Sequence, residues 1–211
     1  MKRTLLGVLA LVVLAVAVWV LRRGPQGTPP SAAVAPGQYV NDSLGVGMLL
    51  PETPGWVFRQ GADVPGGGVV MAFYADSTAA RGQQASVRVY AHPKAAGASL
   101  QDIAQQRREQ LAHVFGVENL DEVIEKVIKN EEVDFGGRPA WQWQGVTENV
   151  AVAGEEPKRV MFMLLTLERE QNIFEVVGIL AYPARPTPAD QQTAQALSQD
   201  VNFILQSFQV R

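Results

Sequence analysis

The chain has 211 residues, with 18 basic side chains, 21 acidic ones and no cysteine, which excludes disulfides, thiolate metal sites and a cysteine nucleophile together. Four of the 18 basic residues (Lys2, Arg3, Arg22 and Arg23) precede residue 24 and none of the 21 acidic ones does, so the rest carries 14 positive against 21 negative charges, a formal −7. A body this acidic is a poor partner for nucleic acid, whose affinity rests on Lys and Arg neutralising phosphates, and it is repelled by anionic lipid.

Thr4 to Leu21 reads TLLGVLALVVLAVAVWVL, a run without a charge. At 1.5 Å per residue it spans about 27 Å, close to the hydrocarbon thickness of a bilayer. Leu5, Leu11 and Leu14 stand for its apolar surface, Trp19 sits where an interfacial aromatic belongs, and Arg22 and Arg23 close it. Ala15-Val16-Ala17 has the small-x-small form of a cleavage site, but the apolar run continues past it. The pattern predicts a retained signal-anchor over 1–23, in contact with the bilayer through 4–21. The positive-inside bias and the short N-terminal tail favour a single pass through the inner (cytoplasmic) membrane, with the following domain in the periplasm or outside the cell.

Residues 24–38 follow as a Pro/Gly/Ala-rich linker, GPQGTPPSAAVAPG in its main part, which reads as a semi-flexible tether. A domain over 39–211 is long enough for one well-buried core. Val46 to Leu50 is a short apolar strand closed by Pro51 and the turn-rich ETPGW. Pro65 to Gly68 is a hairpin loop before a strand at Val69–Tyr74, and Ala85 to Tyr90 alternates as a half-buried strand does. Ser99 opens a helix with Asp102 three residues on; Leu100, Ile103, Ala104, Leu111, Val114 and Phe115 share one face, and Gly116 ends it. Leu120 to Lys129 is predicted as a short helix, from the spacing of Val123, Ile124, Val127 and Ile128 and the pairs Glu122–Lys126 and Glu125–Lys129. Its β-branched content points the other way.

A meander comes next. Glu132 to Phe135 leads through Gly136-Gly137 into a strand at Ala140–Thr147, then Lys158–Glu168 and Asn172–Ala181 joined at Glu170-Gln171. Thr187 as cap, Pro188 first and Asp190 third start a final helix with a stripe of Ala194, Leu197, Val201, Ile204, Leu205 and Phe208. Strands in hairpins and helices singly predict an α+β fold: an antiparallel sheet of about six to seven strands flanked by two main helices, preceded by one transmembrane helix.

Leu49-Leu50-Pro51 followed by Trp56, the GGRPA turn at Gly136–Ala140 and the closing ILQSF at Ile204–Phe208, in this order of elements, resemble the Mog1/PsbP-like superfamily, which includes bacterial membrane-anchored envelope members. The resemblance spans about 39–211 and implies an α/β sandwich used as a non-enzymatic binding or accessory module. It implies no catalytic set.

The residues agree with a chain short of catalytic signatures. His92 and His113 lack zinc-binding spacing, no GxSxG elbow is present, and Gly66-Gly67-Gly68 lacks the Lys-Ser/Thr of a phosphate loop. The acidic groups Glu131, Glu132, Asp134 and Glu118, Asp121, Glu122, Glu125 lack calcium-loop spacing. No cofactor, metal or catalytic residue is expected. Trp141 and Trp143, two apart on one strand, point to the same face, either as core or as an anchor patch. Trp56 faces the same choice, and Arg138 beside the pair could take a carboxylate. The sequence thus predicts a membrane-anchored, non-enzymatic binding module docking on a larger membrane or envelope protein complex. The alternative is a small-molecule or lipid carrier with a pocket lined by Trp141, Trp143 and Phe162.

Overall fold

The computed structural model describes residues 37–64, 66–75, 83–114, 120–150 and 157–210. The predicted anchor over 1–23, nearly all of the linker, and Pro65, Phe115, Gly116 and Glu118 lie outside them, as do the side chains of His113, Val114 and Asp121. Among the described residues no helix is long and apolar enough to cross a membrane.

Ten strands and two helices make up this part: β1 (Gln38–Asn41), β2 (Val46–Leu49), β3 (Trp56–Gln60), β4 (Val70–Tyr74), β5 (Gln84–Pro93), α1 (Leu100–Val114), β6 (Ile124–Asp134), β7 (Pro139–Val150), β8 (Lys158–Arg169), β9 (Asn172–Pro183), α2 (Pro188–Ser207) and β10 (Gln209–Val210). Seven strands form one antiparallel sheet in the order β3-β4-β5-β9-β8-β7-β6, with α1 packed on one face over β7 and β8 and α2 on the other over β9 and β5. A separate three-stranded sheet, β1-β2-β10, was not foreseen. β1 starts at Gln38, inside the predicted linker, and the chain is too short there to show a period.

β8 and β9 are central because both of their faces are apolar. Even- and odd-numbered residues feed different cores: Met163, Leu165, Leu167, Phe174, Val176 and Leu180 lie under α2, while Val160, Phe162, Leu164 and Val177 lie under α1. Glu170, at φ 55°, turns one strand into the other. Gly136 and Gly137 turn β6 into β7 at φ 63° and 80°, values a Cβ makes costly. The α2 start is a full capping box: the Asp190 N–H donates to Thr187 Oγ1 at 3.2 Å, and the Thr187 N–H donates to Asp190 Oδ2 at 2.8 Å. All of its predicted stripe is buried.

Two expectations are corrected. The predicted short helix at Leu120–Lys129 is a 3-10 turn at Leu120–Glu122 followed by β6, an edge strand exposed along most of its length. Its spacing looked helical because register shifts at Ile124/Lys126 and Val127/Lys129 break the period of two that a strand would show. Trp56 lies not in a turn but at the head of β3, whose five residues were hidden behind the turn signals of Pro51–Gly55.

Candidate functional site

Directly opposite residues on paired strands share a face, so the register sorts the side chains. The α1 side carries Val57 and Arg59 from β3, Met71 and Phe73 from β4, Ser86, Arg88, Tyr90 and His92 from β5, and Glu175, Val177 and Ile179 from β9. Trp141 and Trp143 of β7 stand on the same side at its far end. Among the described residues α1 is the only α-helix on this side, and it is seated over β7 and β8. Among the described residues no helix lies over β3 and β4 on this face.

Beside α1, toward β5, lies a cleft of about 240 Å³ lined by His92, Ile103, Gln106, Arg107, Gln110 and Glu175. The Glu175 side chain is 3% exposed, which is affordable because its carboxylate is fully engaged. Arg107 Nε donates to Oε1 at 3.1 Å and Nη2 to Oε2 at 2.7 Å, and His92 Nε2 lies 2.8 Å from Oε2. Arg107 also lies over the Tyr90 ring, 4.0 Å from its centroid, so one guanidinium fastens α1 to both β5 and β9. With both carboxylate oxygens engaged, the group acts as an anchor for the helix. The trio carries no sequence motif. Its signal was a single acid inside the apolar run NIFEVVGILAY, with Arg107 on the buried side of α1 between Ile103 and Leu111.

On the other flank of α1 a second cleft, also about 240 Å³, includes Trp141, Arg108, Gln105 and Asn130. The tryptophans divide here. Trp143 is fully buried, 6.4 Å from Phe162 between ring centroids, with the Arg108 guanidinium 4.7 Å above its ring. Gly145 makes room for that indole: a Cβ there would meet Trp143 at 2.9 Å. Trp141 is half-buried and its Nε1 donates to Asn130 Oδ1 at 3.1 Å. Trp143 and Phe162 lie in one buried cluster with Ala104, Leu111 and Ala112 of α1.

Trp56 belongs to the opposite face. It is buried in the α2-side core, its Nε1 donating to Asp200 Oδ2 at 3.0 Å while Thr53 Oγ1 donates to Oδ1 at 3.0 Å. Arg138 sits in the β6–β7 turn, its carbonyl accepting from Phe135 N–H at 2.8 Å, and lines neither cleft. The Leu5, Leu11, Leu14, Trp19, Arg22 and Arg23 set lies outside the described residues. Among the described residues no group of three His, Asp or Glu side chains could hold a metal ion.

What remains on the α1 side is the part of the sheet that no described helix covers. Val57 is 39% exposed, Phe73 is half-buried, and the Arg59 guanidinium lies 4.6 Å from the Phe73 ring centroid. Arg88 stands next to Met71 in the register. The charges here are arginines without lysines, on a body whose formal charge is −7.

No family model matches the chain, and no curated protein matches it. Solved structures are similar to it at a distance. The Ran-binding protein Mog1p of Saccharomyces cerevisiae is 15% identical, over 82% of this chain and 94% of that one, with a TM-score of 0.45. LpqN, involved in cell envelope biogenesis of Mycobacterium tuberculosis, is 12% identical over 79% of this chain and 82% of its own, at 0.42. A protein of Bacteroides thetaiotaomicron VPI-5482 is 11% identical over 83% of this chain, at 0.45; the chain spans about half of that protein's length, 48%. Mog1 is among these distant structures.

Proposed function

We propose that the chain is a membrane-tethered, extracytoplasmic binding module without catalytic activity, which docks on a larger membrane or envelope protein complex through the uncovered part of the α1-side sheet face. The observation that carries the reading is the surface of Val57, Arg59 and Phe73 over β3 and β4, where no described helix lies and the Arg59 guanidinium lies over the Phe73 ring. Aromatic residues and arginine are the side chains most enriched at protein interfaces, and a stacked arginine is held ready for a carboxylate. The apolar run over 4–21 supports the tether, which would hold the face close to a partner in the same membrane. An interface of ordinary size would cover about 600–1,000 Å² of this surface.

Purification of the full chain from detergent-solubilised membranes tests the reading. A partner polypeptide is expected in fixed proportion with the unaltered chain and at least tenfold depleted, about 1.4 kcal/mol or more of binding, with Arg59→Glu or Val57→Asp. A chain that always emerges without any other polypeptide, or a partner indifferent to both substitutions, would overturn it.

A further inference from the structure

We propose that β6 is the edge through which two copies of this chain pair, strand against antiparallel strand, about a two-fold axis at Asn130. β6 closes one end of the seven-stranded sheet, and β7 is its only strand partner among the described residues. It runs for 11 residues and is exposed on both faces from Glu125 to Glu132, with Val127 at 46% and Ile128 at 44%. An outer row of backbone N–H and C=O groups of this length is a template for another strand.

Natural edges are commonly guarded against such pairing by bulges and by charge. A guard of one sign repels a second copy in every register. β6 instead separates its signs: Lys126 and Lys129 come first, then Glu131, Glu132 and Asp134, with Glu125 at the outer register shift as the exception.

Symmetry then selects the register. A two-fold axis between antiparallel edge strands runs along the sheet normal, so each residue must meet one from the same face. The pairing is therefore centred on a residue, which faces its own copy. Within the regular stretch Lys129–Asp134, centring on Lys129, Glu131, Glu132 or Asp134 sets like charges face to face at the axis, and centring on Val133 sets Glu132 against Asp134. Asn130 is the remaining centre. It places a neutral amide at the axis and Lys129 opposite Glu131 of the second copy on both sides of it. Lys129 and Glu131 project from one face, as their β7 partners Gln144 and Gln142 do, so both ion pairs form there. Ile128 comes opposite Glu132, and Lys126 approaches the acidic end. The shift at Val127/Lys129 bounds this ladder to about five residues per copy, enough for a weak contact that a shared membrane would strengthen.

The chain has no cysteine, so Asn130→Cys introduces a lone thiol. Opposite residues of an antiparallel pair have Cα atoms about 4.5–5.5 Å apart, within disulfide reach. Mild oxidation of whole cells producing the full Asn130→Cys chain is expected to give a covalent dimer, whereas Asp134→Cys, far from the axis, gives little. In the Asn130→Cys background, Lys129→Glu or Glu131→Lys turns two attractions into two repulsions and should lower the yield about tenfold, and the double swap should restore it. Thermal melting of each variant reports whether the fold persists. Cross-linking no better at 130 than at 134, or yields unmoved by the single reversals in folded protein, would overturn the pairing. Neither result touches the docking face on β3 and β4, which is scored by partner recovery.

Discussion

Glu175 stands on β9 between Phe174 and Val176, both fully buried, and belongs by the alternation of the strand to the face that meets α1. A carboxylate at that depth is stable only while its partners stay in place, and the strongest of them is the forked contact with Arg107. Removing one partner of such a pair leaves a buried charge uncompensated. Arg107→Ala is therefore expected to cost about 3–5 kcal/mol in urea unfolding, while Arg107→Ala combined with Glu175→Gln recovers a large part of it. An Arg107→Ala loss below about 1 kcal/mol would show that water reaches the carboxylate easily. Little of this pairing could be read from the sequence. The lone acid in an apolar strand was visible, but its partners lie 68 and 83 residues away, and their meeting depends on the β5–β9 register and on where α1 lands.

At the scale of elements, what could be read and what could not separate by burial. The long, mainly apolar runs of β8 and β9 announce strands buried on both sides, and the α2 cap and stripe announce a helix laid across a core. β6 has no buried face to impose a pattern, so its local pairs, Glu122–Lys126 and Glu125–Lys129, imitated a helix. Trp141 and Trp143 share a face as predicted, yet α1 covers the second and leaves the first half-buried at its flank, a distinction that rests on where the helix is seated across the sheet. The close seating of α2 depends on a missing side chain. A Cβ at Gly178 would stand 2.9 Å from Val201 Cγ1 and 3.3 Å from Leu205 Cδ1, both on buried residues of the helix. Gly178→Ala is expected to push α2 outward and to destabilise the fold by about 1–3 kcal/mol, seen as a lower melting temperature. An unchanged melting temperature would mean that the helix slides without loss.

For the whole molecule, the two helices close two separate cores on opposite faces of one sheet, and the charge of the body beyond residue 23 is strongly negative. Such a body has no electrostatic reason to stay at an anionic membrane, so the proposed tether would rest on the run at 4–21 alone. The full chain should remain in the membrane pellet through alkaline carbonate washing, and a chain lacking 1–23 should be released. Recovery of the full chain in the wash would remove the tether.

The small sheet has its own consequence for anyone who attaches something to this protein. β1 and β10 lie on the two sides of β2, Gln38 opposite Leu49 and Val210 opposite Val46, so the first described strand and the strand that leaves α2 are two strand spacings apart, about 10 Å. Both run antiparallel to β2 and therefore parallel to each other, so the chain enters the small sheet at the Leu49 end of β2 and leaves it at the Val46 end, and a reporter or affinity handle joined after β10 would start from the end opposite the one where Gln38 enters. A circular permutant that joins these strands therefore needs a linker long enough to cross β2 and run back along it, and one opened at Gly136-Gly137 would keep the strand pairing of both sheets.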